Sequence, residues 1–302
     1  MKKISFKSMN SLIIIIAITL FILFIPVVIY IGTSNSTFFK FLISALFSII
    51  ASSVVVIFYL SQDWFANTVL TIKKLFRFEN LSHPLLLQLS YQAPGTFHHS
   101  INVAILAQKA AKSIGADSLL VRVAAYYHDV GKLDNPLQFI ENQSGEEIPR
   151  TEDAESIRDS AQKIIDHAKN GLKIANEHKL PDEIKAMIAQ HHGTTKALYF
   201  YELAKEKGLK IKKTDFCYAG PKPSTKEAAI LMLADSCEAA ARAIPNLTMK
   251  QIEKLVNSVV EDRIAEKQFT KINLLPNELA KIKESLILTL FSIYHQRLVK
   301  EL

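Results

Sequence analysis

An all-α bundle carried behind a two-helix transmembrane hairpin is the architecture that this 302-residue sequence predicts. Three observations carry it. Residues 11–31 and 41–60 are apolar runs with no charged side chain, each close to the roughly 20 residues a helix needs to cross a bilayer core. From Leu81 onward apolar residues recur at 3.6-residue spacing, interrupted by glycine and proline, and no stretch alternates with period two. Glycine (9) and proline (10) are too few for a disordered or collagen-like chain, and two cysteines make neither a disulfide framework nor a Cys-rich zinc module. Cys217 and Cys237 read most simply as free thiols in a reducing compartment.

The net charge of +7 is not spread evenly. Residues 1–80 hold seven basic side chains (Lys2, Lys3, Lys7, Lys40, Lys73, Lys74, Arg77) against Asp63 and Glu79, a balance of +5, which leaves only +2 for the rest. Positive charge flanking apolar spans fits the positive-inside rule and anionic headgroups, and argues against a DNA or RNA partner. Lys2, Lys3 and Lys7 precede the first run, while Lys73, Lys74 and Arg77 follow the second. Both termini and the helical domain are therefore expected in the cytoplasm, with the chain held in the cell membrane by two spans. A signal peptide fits less well, because the first run exceeds the usual 7–15 residues and no small-residue cleavage site follows it. The chain divides into a hairpin (1–62), an amphipathic connecting helix (63–80) and a helical domain (81–302). The connecting helix places Trp64, Phe65, Val69, Leu70, Ile72, Leu75 and Phe76 opposite Lys73, Lys74 and Arg77. It fits a membrane surface or the face of the helical domain equally, and leaves room for a homodimer contact.

Within the domain, Pro94 and Gly95 precede a helix expected over 97–114 that Gly115 stops. A second helix starts at Asp117 and runs to Gly131; a third covers 155–178 and contains His167. Pro181 opens a fourth, which Gly193 stops after His191-His192. Later helices are expected at 196–206, 225–244, 248–266 and 277–300. Two long polar loops, 134–153 and 207–224, are of a length that in a compact helical domain is more often functional than accidental.

Histidines and aspartates gather at the helix ends. His128-Asp129 closes one apolar helix, with Gly131 and Lys132 just beyond, and His191-His192 closes another. His98 and His99 cannot both face one site, since consecutive helical residues diverge by about 100°. Asp235 belongs to the apolar run Ala228-Ala-Ile-Leu-Met-Leu-Ala-Asp235, where a carboxylate needs a cation or strong hydrogen bonds to stay ionised. For His83, His178 and His295 the ordinary reading, a surface or hydrogen-bonded histidine, stands.

The order His99, His128-Asp129, His167, His191-His192, Asp235 resembles the two-metal form of the HD superfamily of metal-dependent phosphohydrolases. The strings HPLLLQL (83–89), APGTFHHS (93–100), AAYYHDVGK (124–132), FIENQ (139–143), HHGTT (191–195), GPKP (220–223) and KEAAILMLADSCEAAAR (226–242) narrow the resemblance. They look like the cytoplasmic domain of the seven-transmembrane HD (PgpH-like) phosphodiesterases that hydrolyse cyclic di-AMP. Two departures stand beside the match. Only two apolar spans precede the domain, and the stretch SGEEIPRTEDAESIRDSA (144–161) lacks the histidine and the serine-leucine-rich pattern of the family, which bears on substrate contacts rather than on ligands. HHGTT also lacks the GYP signature of the enzymes that cleave cyclic di-GMP.

The resemblance implies an HD-domain bundle over 81–302 with two divalent transition ions, iron or manganese first. His99, His128, Asp129 and Asp235 would hold one, and Asp129, His167, His191 and His192 the other. It implies attack of a metal-bridging hydroxide on phosphorus, with Asp129 as shared ligand and Lys132 neutralising a phosphate oxygen. Substrate contacts are expected from Lys132, Arg242 and Tyr127, with Tyr126 and Tyr218 also open as stacking partners. The rival readings are an HD hydrolase of cyclic di-GMP or an alarmone, and a non-catalytic nucleotide sensor in the membrane.

Overall fold

A computed structural model describes residues 75–143 and 154–295, with isolated helical positions at 22, 46, 48–50 and 52–54. The chain divides into two units at Lys73/Lys74, and the second is the subject here. Apart from those isolated positions, the expected hairpin lies outside the described residues. Among the described residues no helix is long and apolar enough to cross a membrane.

Among the described residues the second unit carries, beyond the short helical stretch 75–79, ten α-helices. α1 (Pro84–Gln92) opens with proline at its first position, and the His83 ring caps it through Nδ1, which accepts from the Leu85 amide at 3.3 Å. α2 (Pro94–Ile114) starts three residues ahead of the expected Phe97, because Pro94 suits a first-turn position that needs no amide donor. Gly95 sits in that first turn for a tertiary reason. A Cβ there would stand 1.7 Å from the carbonyl oxygen of Glu141, so only glycine lets that segment lie on the helix. Gly115, at φ 72°, ends α2 as predicted.

α3 (Ser118–Tyr127) is capped by Asp117, whose carboxylate accepts from the amides of Leu119 and Leu120 at 3.1 and 2.9 Å. It stops short of the expected Gly131, and the chain tightens into a 3₁₀ turn over Val130–Asp134. The single helix predicted over 155–178 is two, α4 (Ala154–Ile165) and α5 (His167–Glu177), with the break at Asp166. α6 (Asp182–Gln190), α7 (Leu198–Glu206), α8 (Lys226–Arg242), α9 (Met249–Ala265) and α10 (Pro276–His295) follow near their expected bounds. Thr225 caps α8, and Thr248 with Gln251 forms a capping box on α9. An antiparallel bridge between Lys196 and Cys217 is the only β pairing among the described residues.

The main core packs α2, α3, α8, α9 and α10 around Val103, Ala107, Ala124, Leu231, Val256 and Leu286. Alanines at 104, 107, 110 and 111 give α2 a thin buried face against which its neighbours can close. A second core joins α1, α3, α5 and α6 through Leu85, Leu89, Val130, Ala175 and Ile188. The described end of the connecting segment, 75–79, is helical and adds Leu75 and Phe78 to this core, leaving Phe76 exposed. A third, small core of Ile157, Ala161, Ala204 and Phe216 ties α4 to α7 and the loop beyond it.

Candidate metal centre

Where α2, α3, α5, α6 and α8 meet, seven ligand-type side chains converge. His99 comes from within α2 and Asp235 from the buried face of α8. His128 closes α3, Asp129 opens the 3₁₀ turn, His167 opens α5, and His191 closes α6 ahead of His192. They fall into two groups, His99, His128 and Asp235 in one and Asp129, His167, His191 and His192 in the other. Within each group, one potential ligand atom per residue lies within 4.8 Å of all the others.

Asp129 faces both groups with different oxygens. Its Oδ2 stands 3.3 Å from His128 Nε2 and 3.6 Å from His99 Nε2. Its Oδ1 stands 3.2 Å from His167 Nε2 and 3.7 Å from His191 Nε2. One carboxylate is thus placed to ligate two ions at once.

The local chain fixes three imidazoles in the orientation that ligation needs. Nδ1 of His128, His167 and His191 donates to the carbonyl three residues back, Ala125 at 2.8 Å, Ile164 at 2.5 Å and Ile188 at 2.6 Å. Each carbonyl lies at the C-terminal end of a helix, where no intrahelical amide claims it. With the proton on Nδ1, the Nε2 lone pair is turned toward the site.

Gly131 makes the same contribution from the packing side. A Cβ there would lie 1.9 Å from His167 O and 2.4 Å from Gly171 N, so glycine brings the turn carrying Asp129 against the start of α5. This contact, rather than a helix stop, is why the position is glycine.

The donor set fits a divalent ion. His128 Nε2 and Asp129 Oδ1 are buried without a hydrogen-bond partner, and a cation in each of the two groups would satisfy both. Imidazole mixed with carboxylate suits first-row transition ions. Burial, followed by the neighbouring His128 and His167, pulls the His191 pKa down to about 3, and burial with His191 lowers His192. Both are neutral and ready to ligate. For His128 burial works in the same direction, but the carboxylates of Asp129 and Asp235 outweigh it and lift the value to about 10. His99 is raised against burial by Asp235 and Glu238. Burial pushes Asp129 and Asp235 up, yet His128, Lys132 and His167 hold Asp129, and His128, His99 and His192 hold Asp235, well below the ordinary carboxylate range.

Lys132 joins the cluster from the 3₁₀ turn. Its ammonium donates to Asp129 Oδ2 at 2.7 Å and Glu141 Oε1 at 2.6 Å, and lies 4.9 Å from the centre of the Phe139 ring. Burial opposes its charge, but Asp129 and Glu141 prevail and keep it protonated. Glu141 also accepts from Thr96 Oγ1 at 3.2 Å and faces the Arg242 guanidinium at 3.9 Å. Arg242 is therefore ion-paired at the rim.

Tyr127 does not reach the site. It is fully buried in the second core and its hydroxyl donates to Phe78 O at 2.9 Å. This corrects its assignment as a substrate contact, because an aromatic closing an apolar helix is claimed by the core. Tyr218 is the tyrosine at the cluster, its ring 4.1 Å from that of His192 and tilted by 30°. His98 is exposed, His83 caps α1, and the His295 side chain lies outside the described residues.

Two site carboxylates escape a reading of the sequence. Glu238, one helical turn beyond Asp235, carried a signal in its spacing: a second acid on the buried face of an apolar helix. Glu141 carried none of its own, since it arrives on a short 3₁₀ turn (Ile140–Asn142) within a polar stretch that has no periodicity to place it.

Set against known proteins, residues 96–240 match the HD domain family. The chain is 43% identical over 230 residues to the cyclic-di-AMP phosphodiesterase PgpH of Listeria monocytogenes, and 42% identical over 230 residues to that of Bacillus subtilis. These alignments cover 76% of this chain and 32% of either relative, so the chain spans about a third of the length of the curated relatives it matches. The crystal structure of the Listeria PgpH HD domain matches 71% of this chain and 100% of its own, at 43% identity and a TM-score of 0.66. The same domain in complex with cyclic di-AMP matches 70% of this chain and 98% of its own, again with a TM-score of 0.66. The chain belongs to the HD-domain family. Its described part is a helical HD domain with homology to the PgpH cyclic-di-AMP phosphodiesterases.

Proposed function

We propose that this chain is a membrane-anchored, two-metal phosphodiesterase that opens cyclic di-AMP to linear pApA. The observation that carries the reading is Asp129, which turns one oxygen to each of two histidine-rich groups within a buried cluster. The substrate rests on the likeness to an HD domain crystallised with cyclic di-AMP.

His99, His128, Asp129 and Asp235 would hold one ion, iron or manganese, and Asp129, His167, His191 and His192 the second. Ions held there would supply Lewis acidity and lower the pKa of a bound water. The protein does the rest. Asp129 keeps the two positions in register, and the orphan carbonyls at the helix ends keep three imidazoles aimed. Lys132, charged and largely shielded from water, is placed to neutralise a phosphate oxygen as charge builds on it. Arg242, a third exposed at the rim, is positioned for the second phosphate of a cyclic dinucleotide. Tyr218, against His192, takes over from Tyr127 as the stacking partner for a base.

The N-terminal runs 11–31 and 41–60 would place this domain on the cytoplasmic side of the cell membrane, an orientation supported by the lysines and arginine that flank them.

The test is hydrolysis by the purified full chain of cyclic di-AMP, with cyclic di-GMP and an alarmone alongside, in manganese or iron and with or without chelator. Metal-dependent release of pApA is expected. Turnover of another nucleotide in its place would reassign the substrate. Nucleotide binding with no turnover by a metal-loaded protein would make the chain a sensor.

A further inference from the structure

His99 differs from the other buried ligands in where its chain places it. His128, His167 and His191 stand at helix ends and anchor Nδ1 on carbonyls left free by the helix. His99 lies in the second turn of the 21-residue α2, where the carbonyl three residues back serves the helix's own ladder. A side chain must do what the backbone does elsewhere.

Glu238 is that side chain. Its Oε2 is hydrogen-bonded to His99 Nδ1, while Asp235 Oδ1 stands 3.0 Å from Nε2 of the same ring. Asp235 and Glu238 thus address opposite nitrogens of one imidazole from successive turns of α8. Glu238 is 1% exposed and fully engaged, for its Oε1 accepts from Asn102 Nδ2 at 3.2 Å and from the Tyr294 hydroxyl at 3.1 Å. Three helices, α2, α8 and α10, therefore fix this carboxylate. Among the described residues no carboxylate is hydrogen-bonded to Nδ1 of His167 or His191 in the other group, where that atom relies on a neutral carbonyl; the third histidine there, His192, turns Nδ1 to within 3.7 Å of Asp235 Oδ2.

We infer that Glu238 is a positioning residue for one of the two metal positions, fixing the tautomer of His99 and making it a stronger donor to the ion shared with His128 and Asp235. The inference rests on the two-metal reading above. A carboxylate behind a ligating imidazole is worth about 10–100-fold in metal affinity, and here it acts on one position alone.

Manganese titration of the metal-free full chain, following free ion by electron paramagnetic resonance, tests this without reference to turnover. Glu238→Gln keeps the volume and an oxygen that can accept from Nδ1, but it removes the charge and turns an NH2 group toward Asn102 Nδ2 and the Tyr294 hydroxyl, which Oε1 now serves as acceptor. Glu238→Ala also removes the orientation. The wild type is expected to take up two ions. In the Gln variant one of them weakens by about 10-fold, in the Ala variant by up to about 100-fold, and the other is retained in both. Thermal melting of the metal-free variants reports packing separately. Unchanged affinity for both ions, or an equal fall for both, would overturn the role of Glu238. Uptake of fewer than two ions by the wild type would instead overturn the two-metal reading on which it stands.

Discussion

The ligand cluster and the rim around it are built on different terms. All seven ligand-type side chains sit on α2, α3, α5, α6, α8 or the turns that follow α3 and α6, and six of them are buried. The rim is Lys132, Glu141, Arg242 and Tyr218, drawn from two 3₁₀ turns, the last turn of α8 and a loop. Ligand placement is dictated by helix ends packed into two cores. Rim placement depends on where loops come to rest, above all on the approach of Glu141 to Gly95. A change in the cluster should therefore act on metal content, and a change in the rim on turnover with metal content intact.

The sharpest break in that comparison is Asp129→Ala. It removes a ligand from both groups, and several kcal/mol of Lewis-acid stabilisation with them. Metal analysis should show both ions weakened, and cyclic di-AMP hydrolysis should fall by at least about 10³-fold. Retained activity would sink the bridging assignment. Gly131→Ala comes next, because its methyl group meets backbone on α5 and must push His167 away. We expect a loss of about 1–3 kcal/mol in unfolding free energy, with the ion at the His167 group weakened before the other. Lys132→Ala, on the rim, should lower kcat by about 10²-fold while the metal-to-protein ratio stays at the wild-type value.

These contrasts also show what the sequence made legible. The seven converging ligand-type side chains were readable because their residue types have few alternatives in an apolar helical setting: an acid at 235, paired histidines before Gly193, a His-Asp doublet before Gly131. Helix positions followed from capping residues and apolar periodicity. What was missed depends on contacts between distant segments. Gly95 and Gly131 read as helix punctuation and turn out to be places where another backbone touches. The single helix predicted over 155–178 is divided at Asp166, and the division is what puts His167 at a helix start beside a free carbonyl. Tyr127 had no local mark to separate a core tyrosine from one that faces a site, whereas Tyr218 owes its position to a loop.

A smaller effect is expected from pH. With no cation present, Asp129 and Asp235 keep His128 protonated up to about pH 10, yet a ligating nitrogen must be free of its proton. Raised in the cation-free state, this pKa makes metal uptake release a proton at pH 7. Apparent affinity should then climb with pH by about tenfold per unit for that proton. Proton release on adding manganese to weakly buffered protein measures it directly, and none would contradict the charge state assigned to the cluster. The least effect on function belongs to Tyr127→Phe. It removes the hydrogen bond to Phe78 O and should cost about 1 kcal/mol in stability, read by denaturant unfolding, with kcat and KM for cyclic di-AMP unchanged.

The central claim is that two ions on one shared carboxylate perform the chemistry. The most direct measurement is pApA release from cyclic di-AMP as manganese is returned stepwise to the metal-free full chain, with Asp129→Ala run in parallel. The account predicts that turnover rises with filling of the second position, is abolished by chelator, and is lost in the variant at every metal level. Hydrolysis at the wild-type rate by Asp129→Ala, or full turnover with a single ion bound, would contradict it.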